Sequence, residues 1–212
     1  MNVRTILISL LIGYVFGMFL PADLVSLRMT GKNASHVGTT GNPGMANIMA
    51  HLGFKAGLIV LAGDLLKCAI ALFIAWLIFR DPQKADLLFA GLGCTLGHDF
   101  PAWRGFRGGK GVTVSCLALV VYHPLWGLVA VLSGMIVVFI TQYLCIAGIA
   151  IPVVFSVIMA VCGNVPALIV GCIHVLLSVW CNRRSLRGIR DGSTGKNDVL
   201  GALRRKFSRK KN

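Results

Sequence analysis

Seven apolar runs separated by short polar segments dominate the chain, at residues 3–20, 56–79, 85–96, 112–121, 124–140, 144–162 and 165–180. A helix needs about 20 apolar residues, within a range of about 17–25, to cross the hydrocarbon of a bilayer. Four or five of the runs qualify by that measure. The runs 85–96 and 112–121 are shorter, and read as thin spans or as the two arms of a re-entrant unit. The pattern predicts an all-α polytopic membrane protein of about seven helices. No linker, low-complexity stretch or convincing repeat divides it. It therefore reads as one membrane-embedded domain over residues 1–212, with a basic tail at 183–212.

The cations choose an orientation. With seven spans and the N-terminus outside, 17 Lys and Arg fall on the inner side, including Arg28, Lys32, Lys55, Arg104, Arg107, Lys110 and the whole tail. Arg4, Arg80 and Lys84 fall outside, and Lys67 lies within a span. Cytoplasmic loops carry the excess of Lys and Arg, so the distribution predicts a cytosolic C-terminus; only Arg4 pulls weakly the other way. Five spans would turn the loop around Lys110 outward unless it folded back. In the seven-span arrangement two glycine-rich loops, 31–55 and 97–111, face the cytosol together with the tail.

Composition excludes a soluble protein. The chain is 56% hydrophobic and only 13% charged, with a mean hydropathy of +0.79. Soluble domains run near 45–50% apolar and about 25% charged. The net charge of +14 comes from 21 Lys and Arg against seven Asp and no Glu. Eleven of those cations follow Trp180. Basic residues beyond the last apolar run point to anionic lipid head groups as partners, not to nucleic acid. The seven cysteines form no CxxC pair and lie mostly inside apolar runs, so they read as reduced, buried small hydrophobes and not as metal ligands. The first run has Leu20 before Pro21-Ala22 where a cleavage site needs small residues, and is read as a retained span. No segment marks an obligate protein partner.

Candidate chemistry gathers in the segment 97–113, whose core reads Gly105-Phe106-Arg107-Gly108-Gly109-Lys110-Gly111. Glycines let a backbone approach a ligand and take positive φ. Successive N–H groups and a helix N-terminus then attract an anion, and Lys110 and Arg107 add charge. The spacing is not that of a Walker loop; the alternative is a glycine-rich turn carrying ordinary cytosolic cations. A second segment, Gly38-Thr39-Thr40-Gly41-Asn42-Pro43-Gly44-Met45-Ala46-Asn47, is turn-rich and precedes a helix. Its Asn42 and Asn47 would bond a ligand or cap turns. Asp64 and Lys67 lie inside an apolar run, where charges need a partner or a cavity. Their i, i+3 spacing predicts an ion pair on one helix face. His98 and Asp99 are adjacent and so do not imply an acid–base dyad; His98 shapes the loop or contacts ligand. The run 183–190 reads as an interfacial segment.

At these residues the sequence resembles the bacterial acyl-phosphate:glycerol-3-phosphate acyltransferases, the PlsY family. The second motif of that family, G-H-x-F-P-x4-F-x-G-G-K-G-V-A-T, is matched by residues 97–113, with Val112-Thr113 where the pattern has V-A. The first motif follows in frame from Gly41 to Gly57, and the D-x-x-K pattern falls on Asp64 and Lys67. The resemblance covers almost the whole chain. Departures are uneven: the first-motif serine is replaced by Thr40, its threonine by Ala46 and its arginine by Ala50. The family's T-R-Y-x-S-L-A-S stretch falls on residues 141–148, which lack its Arg and both Ser. The third motif falls on residues 185–194, which lack its Asn, Arg and Glu, although Asn182 and Arg183 lie just before.

The resemblance implies transfer of an acyl group from acyl-phosphate to glycerol 3-phosphate, giving lysophosphatidic acid and phosphate at the start of phospholipid synthesis. No cofactor is implied: neither acyl-CoA, acyl carrier protein nor metal. It places Lys110, Thr40 and Asn47 at the reaction. Arg104, Arg107, Gly108, Gly109, Gly111, Asn42, Gly44 and His98 would hold substrate, and Asp64 and Lys67 would brace the helix behind them. It also implies a bacterial cytoplasmic membrane with the site facing the cytosol. A second reading is a non-catalytic or acceptor-altered membrane protein that binds a phosphorylated lipid precursor. A transporter would show inverted halves, which the sequence lacks.

Overall fold

The computed structural model describes residues 2–38 and 41–196, and among these there are helices and no strand. The helices are α1 (Val3–Gly17), α2 (Pro21–Thr30), α3 (Met45–Leu52), α4 (Phe54–Phe79), α5 (Ala85–Asp99), α6 (Val112–Tyr122), α7 (Pro124–Thr141), α8 (Leu144–Val161) and α9 (Val165–Arg190). Short 3-10 turns stand at Ala34–His36 and Ala102–Arg104. Every apolar run becomes a helix, as the pattern predicts. The first polar loop is more structured than its composition indicates. It contains α3, and α2 precedes it because Pro21 restarts the helix, with Pro at the first helical position costing no hydrogen bond.

Five helical stretches are long and apolar enough to cross a bilayer: Val3–Thr30, Phe54–Phe79, Pro124–Thr141, Leu144–Val161 and Val165–Arg190. The protein is multi-pass. Helices α5 and α6, of 15 and 11 residues, are shorter than a full crossing.

The chain forms two compact units, Met1–Gly127 and Leu128–Asn212. In the first, α1 shows the inside-out pattern of a helix in lipid. Val3, Leu7, Leu11 and Val15 face outward with exposures of 66, 62, 60 and 52%. The opposite face, Thr5, Ser9, Gly13 and Gly17, is buried. Lipid solvates large apolar side chains as well as a protein core does, so small residues mark where helices meet. Here they meet α5, nearly all of which is buried. A Cβ on Gly13 would overlap the Ala90 carbonyl, and one on Gly17 the carbonyl of Cys94. In return, Cβ atoms on Gly93 and Gly97 would overlap the carbonyls of Leu10 and Tyr14. Each helix thus offers two glycines four residues apart to the other. Gly13→Leu is expected to lower stability by about 1–3 kcal/mol or more, as overpacking does, and thermal unfolding in detergent measures it. Gly195→Ala is the control, since nothing lies within 4 Å of its would-be Cβ.

Behind α5 an apolar cluster joins Cys68, Leu72 and Ala75 of α4, Ala90 and Cys94 of α5, and Val114 and Ala118 of α6. A second cluster, Ala22, Ala34, Ile48, Ala56 and Val60, seats α2, α3 and the first loop on α4. Both loops are therefore mounted on the same scaffold.

In the second unit α8 packs on α9. Gly171 admits the Ser156 side chain: a Cβ there would stand 2.5 Å from its hydroxyl.

Candidate active site

The second loop begins where α5 ends. Phe100 N–H closes the helix on Leu96 O at 2.8 Å, and the chain then turns through Ala102–Arg104. Gly105 and Phe106 both take a φ of 59°, an uncommon conformation for a bulky residue. The strand of loop that follows doubles back onto α5. Gly108 N–H donates to Asp99 O and Gly109 N–H to His98 O, each at 2.9 Å. No side chain has room at these two positions: a Cβ on Gly108 would overlap the His98 carbonyl, and one on Gly109 the His98 ring. The glycines are needed for close approach to α5. Their N–H groups close the loop, and so are not the donors to an anion that the motif by itself predicts. Lys110 follows directly, and Gly111, with a φ of 59°, opens α6 with no side-chain cap. The first N–H groups of such a helix have no partner within it.

The loop is tied to α1 as well. The Tyr14 hydroxyl donates to Phe100 O at 2.9 Å, and the Trp103 indole to Met18 O at 2.9 Å. Beneath it lies a buried charged cluster. Lys67 Nζ stands 2.9 Å from Asp64 Oδ1. It also donates to Gly17 O at 3.2 Å, Phe19 O at 2.7 Å and His98 Nδ1 at 2.7 Å. The same His98 Nδ1 lies 3.4 Å from Asp64 Oδ1, so the imidazole edge meets both members of the pair. Lys67 thus satisfies carbonyls at the break between α1 and α2 while holding His98 under the glycine loop. The predicted Asp64–Lys67 pair is present, with His98 as a third member.

The first loop is organised by Asn47. Its amide donates to Val37 O at 2.9 Å and to Ala34 O at 3.4 Å. Asn47 is only 6% exposed and faces back into its own loop. Gly44 N–H donates to Asn42 O at 2.9 Å around a buried Pro43. Thr40 lies outside the described residues.

Asp23, in the first turn of α2, joins the two loops. Its Oδ1 accepts from Ala34 N–H at 2.9 Å and lies 3.2 Å from Arg104 Nη2. Arg104 therefore faces Asp23, whereas Arg107 is exposed. Sequence reasoning passed over Asp23, Tyr14 and Trp103. Only Asp23 leaves a trace in the sequence, as an isolated carboxylate directly after a helix-starting Pro21-Ala22.

The third-motif segment belongs to the second unit and folds on itself. Thr194 Oγ1 donates to Ser185 O at 3.0 Å, and Thr194 N–H to Gly188 O at 2.8 Å. Asp191 accepts from the Ser193 hydroxyl and N–H, which hold its carboxyl below the usual range. Asn182 is buried and donates to Ser178 O at 2.9 Å. The Arg183 guanidinium lies 4.2 Å from the centre of the Trp180 ring, an arrangement suited to the membrane interface. Among the described residues no group of three His, Cys, Asp or Glu could hold a metal ion.

Fold and site together define a multi-pass helical membrane protein that gathers buried charge and a cationic glycine loop at one end of its first unit. The family model described as Glycerol-3-phosphate acyltransferase matches residues 7–192. Glycerol-3-phosphate acyltransferase 1 of Lactobacillus acidophilus is 38% identical over 93% of this chain and 94% of its own length. Its counterpart in Lactobacillus johnsonii is 35% identical over 94% and 96%. Among solved structures, the glycerol 3-phosphate form of PlsY, an integral membrane glycerol 3-phosphate acyltransferase, superposes with a TM-score of 0.80. It is 26% identical over 93% of this chain and 98% of that one. The chain belongs to the glycerol-3-phosphate acyltransferase family, the PlsY type of membrane acyltransferase.

Proposed function

We propose that this protein moves a fatty acyl group from acyl-phosphate to the 1-hydroxyl of glycerol 3-phosphate, giving lysophosphatidic acid and inorganic phosphate. The observation that carries the reading is Lys110. It follows a glycine pair sewn to α5 and directly precedes the start of α6, so a positive charge and a helix N-terminus share one place. Both substrates carry phosphate. The hydroxyl oxygen attacks the acyl carbon, the carbon–oxygen bond to phosphate breaks, and the hydroxyl proton leaves with the phosphate. An acyl-phosphate is already activated, so the site supplies chiefly proximity and stabilisation of developing negative charge.

In this reading Lys110 and α6 hold the phosphate, with exposed Arg107 beside them. Asn42, Gly44 and Thr40 belong to the acceptor side, and Asn47 shapes that loop from within. The seven-span arrangement, with the N-terminus outside and both loops at the cytosolic face of a bacterial cytoplasmic membrane, is supported by the placement of the cations. The basic tail then lies at an anionic lipid surface.

The test is acyl transfer by the purified protein in detergent, with palmitoyl-phosphate and labelled glycerol 3-phosphate. Lysophosphatidic acid formed with stoichiometric phosphate release is the expected result. Binding of glycerol 3-phosphate without product, by folded protein, would overturn the proposal in favour of a binding role.

A further inference from the structure

The two loops of the proposed site come from segments about 70 residues apart in the chain, and the charged link found between them is Asp23 with Arg104. We infer that Asp23 and Arg104 are a positioning pair that sets the separation of the acceptor loop and the phosphate loop. The inference rests on the acyltransferase reading for its kinetic consequence, but not for its structural one.

The link is continuous. Asn47 gathers the carbonyls of Ala34 and Val37 in the first loop. The N–H of Ala34 donates to Asp23 Oδ1, and the same oxygen meets Arg104 Nη2. The other arm of that guanidinium, Nη1, donates to Arg107 O at 3.4 Å, one residue before Gly108. Arg104 thereby spans from the acceptor loop to the carbonyl that leads into the glycine pair. The planar fork of arginine suits a role with two fixed acceptors, and lysine cannot fill both.

Burial makes the pair interdependent. Asp23 is 6% exposed, and its Oδ2 has no hydrogen-bond partner among the described residues. A carboxylate so placed depends on its cation, because removing one partner of a buried pair leaves an uncompensated charge. Among the described residues no second ion pair spans the gap between Asp23 and Arg104, so losing either side chain removes the charged link between loops that are each seated separately on the helices.

The experiment compares Asp23→Asn, Arg104→Gln, Arg104→Lys and the double variant Asp23→Asn/Arg104→Gln in the full chain. Each neutralising variant is expected to lower kcat about 10- to 100-fold, as small misplacements of reacting groups do. The KM for glycerol 3-phosphate should stay within about threefold, because no substrate contact is removed. Arg104→Lys should recover part of the lost kcat. The double variant should be no worse than either single, since both break one link. A raised KM with unchanged kcat would make Arg104 a substrate ligand and overturn the inference, as would additive losses in the double variant.

Amide hydrogen exchange provides the structural arm and needs no activity. Arg104→Gln is expected to speed exchange at residues 33–37 as well as 105–109. Faster exchange confined to the neighbourhood of residue 104 overturns the pair. Should the unmodified protein prove unable to transfer acyl groups, the functional reading falls while the exchange result still decides the link.

Discussion

Lys110→Ala is expected to lower acyl transfer by about 10²- to 10³-fold, the range seen when one preorganised donor to developing charge is removed. The loop keeps the closing contacts of its neighbours, Gly108 and Gly109 to α5 and Tyr14 and Trp103 to α1, and an unchanged thermal midpoint in detergent checks that the variant folds. The large effect follows from how that closure is made. With the N–H groups of Gly108 and Gly109 bonded to Asp99 O and His98 O, they offer little to a phosphate. Charge on the bound phosphate then falls to Lys110 and the first turn of α6. Lys110→Arg should recover only part of the rate, since a planar fork replaces a compact ammonium in a tight backbone turn. The measurement is lysophosphatidic acid formed per minute at saturating palmitoyl-phosphate. Retention of more than half the activity in the alanine variant would remove Lys110 from the site.

Lys67→Met is expected to cost about 3–5 kcal/mol of stability, the loss that follows when one member of a buried ion pair is deleted. Lys67 and Asp64 are 4% and 2% exposed. Without the ammonium, Asp64 keeps a buried charge, His98 Nδ1 loses its donor, and the Gly17 and Phe19 carbonyls lose theirs. The thermal midpoint in detergent, followed by tryptophan fluorescence, should fall sharply. The double variant Asp64→Asn/Lys67→Met should regain part of the loss, because it removes the stranded charge. An unchanged midpoint in Lys67→Met would mean that the cluster does not brace the fold.

Much of the architecture was legible beforehand. Each apolar run emerges as a helix, and the i, i+3 spacing of Asp64 and Lys67 becomes an ion pair. These features are local, set by helical periodicity and by hydrocarbon solvation of continuous apolar stretches. Where the chain departs from the pattern, the departure is tertiary. Helix α5 is too short and too rich in glycine to stand out as a span, yet it is the most buried helix of its unit. It is held by the glycine exchange with α1. The sequence offers Gly13, Gly17, Gly93 and Gly97 as isolated small residues, and only packing shows that they face one another.

The candidate site divides the same way. The amino-acid sequence by itself determined a multi-pass helical protein, a cationic glycine loop opening a helix, and membership of an acyltransferase family. Those follow from composition, from period and from a contiguous motif. The tertiary structure decided where the side chains of that motif point. His98 turns to Lys67, Asn47 to its own loop, Arg104 to Asp23, and the glycine N–H groups to α5. Beyond the local Asp64–Lys67 pair and the Arg104–Arg107 contact, the pairings of His98 with Lys67, Lys67 with the Gly17 and Phe19 carbonyls, and Arg104 with Asp23 join positions 31 to 81 apart in the chain. Buried polar groups must be satisfied wherever a partner happens to be brought. That requirement is met only once the helices have packed, so no local pattern records it.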